Sequence, residues 1–403
     1  MESLSNPNIR KKIDSVIQRF DAPFFFYDLD FLKSHLETMA NGLDPDIKLW
    51  YACKANPMSA ILKVLRNLGF GIDVASTGEL HQALNTGIDP NEILATGPGK
   101  SKDYLRRLVK SGVKTIVLES LNQAYWLNEV AIEENEKIDC LLRVQLDWEE
   151  GESVLGGNGI TPFGISSDEW LELDFHKTDH LNIRGFHVFQ WGNILELNTL
   201  EVIWRKIIIE MKLLSNQLKV NLEILDLGGG LGIPYNFSDT PIKFKDVHEI
   251  LVSLKNEFSL SKIWMELGRY TVGDCGYYFT KIVDKKIARG RDILICDGGI
   301  NHIARVALTK QAFPATAYTD RSQSKKIFHV HGPLCTALDS LGSFEFPSDI
   351  KIGDWLVFHK AGAYGFTESM PFFLCHKLAG EVVYYNGDLM IPRPPKNSYD
   401  WMI

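Results

Sequence analysis

Tyr51-Ala52-Cys53-Lys54-Ala55-Asn56-Pro57 joins a strand to a helix by way of a lysine. Leu49, Tyr51 and Cys53 alternate with other residues as a buried strand would. The strand is expected to stop at Lys54, and Asn56-Pro57 to turn the chain into an amphipathic helix from Ile61 to Leu68. An ammonium group is costly to bury unpaired, and burial makes it easier to deprotonate. A neutral lysine is an imine-forming nucleophile. The plain alternative is a solvated lysine at a strand end, and only the rest of the chain separates the two.

Outward from this segment, apolar runs and helical patterns alternate from about residue 45 to 270. Strands are expected near 47–53, 70–75, 91–96, 114–118, 139–145, 183–189, 222–227 and 263–267. Helical stretches such as Tyr104 to Lys110, Leu121 to Ile132 and Leu200 to Leu218 lie between them. Eight such units predict a (β/α)8 TIM barrel spanning 28–275, with a doubly wound sheet as the runner-up. Loop 147–166 carries Gly151, Gly156, Gly157, Gly159 and Gly164, and would sit at the functional face. Beyond about residue 275 short strands follow without long helices, and Asn386-Gly387 marks a two-residue hairpin turn. Residues 276–403 are therefore expected to form a β-rich domain completed by residues 1–27. Pro23 to Tyr27 is a first strand that precedes the barrel and could pair with it.

Bulk properties narrow the function. A chain of 403 residues that is 45% hydrophobic and 23% charged is globular and exceeds one ordinary core. A net charge of −8 argues against nucleic acid or an anionic membrane as partner. The polar start has no signal-peptide core, and Phe24-Phe25-Phe26-Tyr27 is far too short to span a bilayer. Six scattered cysteines without a Cys-x-x-Cys pair read as reduced, mostly buried thiols of a cytoplasmic protein.

Several groups are placed to do chemistry. Asp226-Leu227-Gly228-Gly229-Gly230-Leu231-Gly232 follows strand seven, and successive glycines let backbone N–H groups close on an anion. It is not a dinucleotide fingerprint, because Ile233 stands where the last glycine would be. Gly97-Pro98-Gly99-Lys100-Ser101 likewise fails as a P-loop, because Leu94 replaces its first glycine. Glu266-Leu267-Gly268-Arg269 follows strand eight, where barrels often bind phosphate, and Arg269 offers a donor fork. Glu266 suits a cationic ring nitrogen, or else a strand-end ion pair with Arg269. His187 ends strand six. In the β-rich part, Gly332-Pro333-Leu334-Cys335-Thr336 and Gly362-Ala363-Tyr364-Gly365 are polar turns. His329 and His331 share a strand face, but with no third ligand nearby no metal site is expected.

Taken together, these motifs resemble the fold-type III pyridoxal-phosphate decarboxylases, the ornithine/arginine and diaminopimelate group, from about Pro23 to Ser369. The resemblance implies an alanine racemase-like fold, a TIM barrel plus a C-terminal β-barrel domain, and pyridoxal 5'-phosphate as cofactor. It implies Lys54 as the cofactor lysine, with Asp73-Val-Ala-Ser-Thr-Gly-Glu79 as the segment after strand two. His187 would stack on the ring and Glu266 would hold the ring nitrogen protonated. Gly228, Gly229, Gly230, Arg269 and Tyr364 would bind the phosphate. Cys335 and Tyr364 would come from the second subunit of a head-to-tail homodimer. Racemases of this fold place an arginine at the ring nitrogen, so Glu266 favours decarboxylation.

Gly97-Pro-Gly-Lys100, Pro162-Phe-Gly-Ile165 and Gly332-Pro-Leu-Cys-Thr336 resemble one branch more closely. It holds the butirosin-pathway decarboxylase of carrier-bound glutamate together with exosortase-associated and siderophore-pathway decarboxylases. Two departures stand out. Thr336 replaces the acid that binds a distal amino group, and a neutral hydroxyl cannot neutralise a buried ammonium. Phe189-Gln190-Trp191-Gly192 replaces a small Gly-Ser/Thr stretch, so Trp191 is expected beside the cofactor. Asp297, in Cys-Asp-Gly-Gly, is a further pocket residue. The expectation is a decarboxylase of an amino acid or of an acyl- or carrier-bound amino acid. Its rivals are a diaminopimelate decarboxylase and an inactive homologue that only binds a partner.

Overall fold

The computed structural model describes residues 7–20, 23–148, 160–189, 191–321 and 324–402. Gly151, Gly156, Gly157 and Gly159 of the glycine-rich loop, and Gln190, lie outside the described residues. The chain divides into two compact units. One comprises His35–Ile233 and Pro241–Thr271; the other comprises Met1–Ser34, Pro234–Thr240 and Val272–Ile403.

After the first strand, β1 (Phe24–Asp28), come eight that pair in parallel and in sequence order. They are β2 (Ile47–Ala52), β3 (Gly71–Val74), β4 (Ile93–Ala95), β5 (Thr115–Leu118), β6 (Ile138–Arg143), β7 (Leu181–His187), β8 (Ile224–Asp226) and β9 (Lys262–Glu266). β9 pairs with β2 and closes the barrel. Helices such as Lys102–Lys110, Leu121–Glu133 and Leu197–Leu218 connect them. A parallel barrel strand has side chains packed on both faces, which is why β3, β4 and β8 are buried at every position.

Trp50, Leu94, Val117, Leu141, Ile224 and Trp264 form one core cluster, with the Trp50 and Trp264 rings 4.9 Å apart. Gly71 makes room for it: a Cβ there would lie 2.3 Å from the Trp50 ring. β2 ends at Ala52, one residue earlier than expected. Cys53–Ala55 form a single 3-10 turn before the helix Ser59–Asn67.

In the second unit β1 is internal to a nine-stranded mixed sheet. It runs antiparallel to Gly276–Ala288 and parallel to Gly380–Tyr385. Phe24 stacks on Phe279 at 4.7 Å, and Ile13, Val16, Phe26, Tyr277, Val357 and Val382 complete that core. The hairpin turn lies at Asn386-Gly387, both residues with positive φ (52° and 86°), as a two-residue turn of matching twist requires.

The pairing of β6 with β7 shifts register between Cys140 and Leu141, and Gly185 takes up the irregularity with φ +152°. A Cβ at Gly185 would sit 1.9 Å from the Ile224 carbonyl oxygen on β8. Gly185→Ala is therefore expected to destabilise the barrel by about 1–3 kcal/mol or more in urea unfolding, the cost of overpacking a site with no room to relax.

Candidate active site

Each barrel strand delivers a polar group at or just past its C-terminal end. These are Lys54 after β2, Asp73 on β3, Thr96 after β4, Glu119 after β5, Arg143 on β6, His187 on β7, Asp226 on β8 and Glu266 on β9. A closed parallel barrel points all eight strand ends the same way, so these groups converge. All except Lys54 are buried.

Lys54 sits in the turn Cys53–Ala55, with its Nζ 3.9 Å from Asp73 Oδ2. Its side chain is 41% exposed, and its acidic neighbour is the buried member of the pair. Asp73 Oδ1 accepts a 2.5 Å hydrogen bond from Thr96 Oγ1. Burial first, then the nearby Glu266, push Asp73 up to about 8 against the pull of Lys54 and Thr96. A carboxyl group that changes charge near neutrality thus faces the lysine.

His187 Nε2 lies 3.1 Å from Glu266 Oε1, close enough for an ion pair but without hydrogen-bond alignment. Both His187 nitrogens, Glu266 Oε1 and Asp226 Oδ2 are buried without a hydrogen-bond partner among the described residues. Burial acts to raise Glu266, but His187, Lys54 and Arg143 outweigh it and hold this carboxyl down to about 2. Asp226 goes the other way, pushed well above its ordinary value by burial and by Glu266, while its Oδ1 accepts from Gly228 N at 2.8 Å. The ligand atoms of His187, Asp226 and Glu266 lie within 4.8 Å of one another, a spacing that also suits a metal ion. A metal would require Asp226 ionised, which burial opposes. A ring N–H requires one ionised acceptor, which Glu266 supplies.

Glu119 and Arg143 form a buried ion pair at 2.9 Å. The second Glu119 oxygen accepts from Gly164 N at 2.8 Å, and the Arg143 guanidinium lies 4.5 Å from the Phe163 ring centroid. Trp170 Nε1 donates to the Arg143 carbonyl at 2.8 Å. Lys100, buried nearby, donates to the Gly97 carbonyl, and burial lowers its pKa to about 8 even though Glu119 pulls it upward. The reading of the sequence missed Glu119, Arg143, Asp226 and Lys100 as members of this set. For Glu119, Arg143 and Asp226 the available signal was a charged residue at the end of an otherwise apolar strand, the argument already applied to Lys54; Lys100, in the loop after Ile93–Ala95, carried no such signal.

The glycine turn follows β8, with φ +64° at Gly228 and +101° at Gly230. Its glycines are also demanded by packing: a Cβ would lie 2.5 Å from Phe189 Cβ at Gly228 and 2.2 Å from the Glu266 carbonyl oxygen at Gly229. Arg269 begins the short helix Arg269–Val272 immediately after β9. Phe189, also passed over, is the aromatic beside the lysine, its ring centroid 5.9 Å from Lys54 Nζ. Trp191 lines a cavity of about 20 Å³ next to Gly229, together with Phe189, Trp148 and Trp204. Its ring meets Trp148 edge-on at 6.1 Å.

Lys54, His187, Trp191, Gly228 to Gly230, Glu266 and Arg269 thus belong to the barrel unit, whereas Asp297, Cys335, Thr336 and Tyr364 belong to the second. Asp297 Oδ1 accepts from Thr280 Oγ1 at 2.6 Å and from Lys281 N at 2.9 Å, and burial raises its pKa. Cys335 is exposed, whereas Cys53, Cys140, Cys275 and Cys296 are buried. Tyr364 holds a left-handed backbone, φ +58°, and its ring lies 4.9 Å from the Arg305 guanidinium carbon. His329 approaches Ser343 Oγ at 2.8 Å and His331 the Asp339 carbonyl at 3.2 Å.

Removing one partner of the buried ion pair leaves the other charge uncompensated. Arg143→Met is expected to cost about 3–5 kcal/mol in chemical unfolding, and Glu119→Gln in the same chain to recover most of that loss. Additive losses would show that the pair is not coupled.

A family model described as the pyridoxal binding domain of pyridoxal-dependent decarboxylases matches residues 29–273. The chain is 26% identical over 404 residues to the L-glutamyl-(BtrI acyl-carrier protein) decarboxylase of Niallia circulans, covering 95% of this chain and 93% of that one. It is 30% identical over 368 residues to the 2-((L-alanin-3-ylcarbamoyl)methyl)-2-hydroxybutanedioate decarboxylase of Staphylococcus aureus, covering 87% and 91%. The crystal structure of diaminopimelate decarboxylase from Helicobacter pylori complexed with L-lysine shares the fold, with a TM-score of 0.87 at 24% identity over 96% of this chain and 98% of that one. The chain belongs to the pyridoxal-dependent decarboxylases, enzymes that use pyridoxal phosphate to remove a carboxyl group from an amino acid.

Proposed function

We propose that this enzyme removes the α-carboxylate of an amino acid, or of an amino-acid conjugate carrying a large acyl or carrier group. We place the cofactor domain at 28–275 and a second domain at 1–27 and 276–403, in a head-to-tail homodimer with shared sites. The residues present fit the cofactor. Ionised Glu266 offers a buried oxygen with no hydrogen-bond partner, Lys54 is an amine beside a titrating acid, and Gly228 to Gly230 form a turn free of Cβ atoms.

Bound pyridoxal phosphate supplies the electron sink for the bond broken at Cα. Lys54 Nζ is the amine that would hold the group covalently. Asp73, 3.9 Å from Lys54 Nζ and raised to about 8 by burial, would exchange a proton with that nitrogen in its ionised fraction. Glu266 would hold the proton on the ring nitrogen, and His187 would support the ring. Backbone N–H groups of Gly228 to Gly230, with Arg269 and Tyr364, bind the phosphate. Cys335 of the second subunit returns a proton to Cα. Trp191, Asp297 and Thr336 shape the substrate side.

Thr336 carries the substrate reading. Its Oγ1 accepts from Leu338 N at 3.2 Å, so this neutral hydroxyl is already engaged within its own loop. A free distal ammonium would meet no anion from this residue. The relatives named for carrier-bound glutamyl and for a carbamoylmethyl hydroxybutanedioate conjugate support the same class.

Lys54→Ala is expected to abolish both the cofactor's visible absorbance and CO2 release; retention of either overturns the assignment of Lys54. Wild-type protein that stays colourless after reconstitution would instead support an inactive homologue. CO2 release is expected to be faster from acyl-amino acids or citryl-diaminopropionate-type conjugates than from meso-diaminopimelate, and the reverse order would establish the diaminopimelate reading. Thr336→Asp is expected to raise kcat/KM for meso-diaminopimelate at least about tenfold, or about 1.4 kcal/mol of transition-state stabilisation.

A further inference from the structure

Asp339 lies four residues after Cys335 and is 1% exposed. Its side chain spans two loops. Oδ1 accepts from Ile300 N at 2.8 Å, just past Asp297-Gly298-Gly299, and Oδ2 accepts from Leu334 N at 2.7 Å, the residue before Cys335. Its backbone closes the same loop: the Asp339 carbonyl accepts from Gly332 N at 3.2 Å, and Asp339 N donates to the Thr336 carbonyl at 3.2 Å. Both loops are stripped of side chains where they meet this carboxylate. A Cβ at Gly299 would lie 2.2 Å from Asp339 Oδ1 and 2.6 Å from Gly332 Cα; one at Gly332 would lie 2.4 Å from Asp339 Oδ2. A buried acid that satisfies two backbone donors on separate loops is a mechanical tie, because neither loop can move without orphaning an N–H in a dry interior.

We propose that Asp339 is a positioning residue that fixes the Cys335 thiol, by tying the Cys335 loop to the Asp297 loop. The catalytic part of this proposal rests on Cys335 being the proton donor proposed above; the tie itself does not. An amide in place of the carboxylate keeps the shape but turns one acceptor into a donor facing a backbone N–H, so Asn at 339 breaks one of the two bonds.

The test uses the cofactor-loaded enzyme carrying Cys375→Ser, since Cys335 and Cys375 are the two exposed thiols. Asp339→Asn is expected to raise the iodoacetamide alkylation rate of Cys335 at least threefold and to lower kcat at least tenfold with KM changed less than threefold. In a Cys335→Ala background the same substitution is expected to change kcat less than twofold, because the effect runs through the thiol. An unchanged alkylation rate, or an equal kcat loss with and without Cys335, overturns the proposal. Should Asp339→Asn fail to fold, Gly332→Ala, whose Cβ pushes the carboxylate aside, is read the same way; if neither folds, Asp339 serves folding rather than Cys335 and the proposal falls. Full turnover by Cys335→Ala would refute the role of Cys335, and the alkylation rates would still judge the tie.

Discussion

Glu119 and Arg143 meet at 2.9 Å inside the barrel, and the polar end of that barrel depends on such compensation. A closed parallel barrel buries its strands on both faces, so any charge at a strand end is stripped of water. Seven polar groups are buried there, and each must find a partner or give up its charge. Arg143 finds Glu119 and is held on its other side by Phe163. Asp73 and Asp226 favour the neutral form. Glu266 alone is driven down to about 2, by the cations around it.

That inequality among four buried carboxyl groups is what turns a barrel end into a site for one cofactor. An acid held ionised suits a ring N–H, and an acid titrating at about 8 suits the proton traffic of a lysine. The two tasks need opposite environments, and they lie on strands β9 and β3, which flank the lysine strand β2. The glycine turn after β8 meets a related constraint, since Phe189 and the Glu266 carbonyl leave no space for a Cβ. Packing therefore demands glycine there, the residue that the proposed anion binding also asks for.

The second unit solves its polar burial differently. Asp339 spends its carboxylate on backbone N–H groups, and two loops rich in glycine close around it. Thr336 spends its hydroxyl on the same loop. Cys335, which the resemblance had singled out, is left exposed on that loop.

The order of strands was legible in the sequence, because parallel strands buried on both faces read as apolar runs separated by helical periodicity. Lys54, His187 and Glu266 stood out for the same reason, as polar residues at the ends of such runs. The hairpin at Asn386-Gly387 was legible because few residues accept positive φ. Other features were decided by tertiary structure. The end of β2 at Ala52 depends on pairing with β3 and β9, and the place of β1 in the second sheet on partners some 250 and 350 residues away. The approach of Phe189 to Lys54, and its packing against Gly228, join residues from three different strand ends. The charges of Asp73, Asp226 and Glu266 are set by distance and burial among residues scattered from 54 to 266. Residue type fixes which groups can ionise; only the fold decides which of them do.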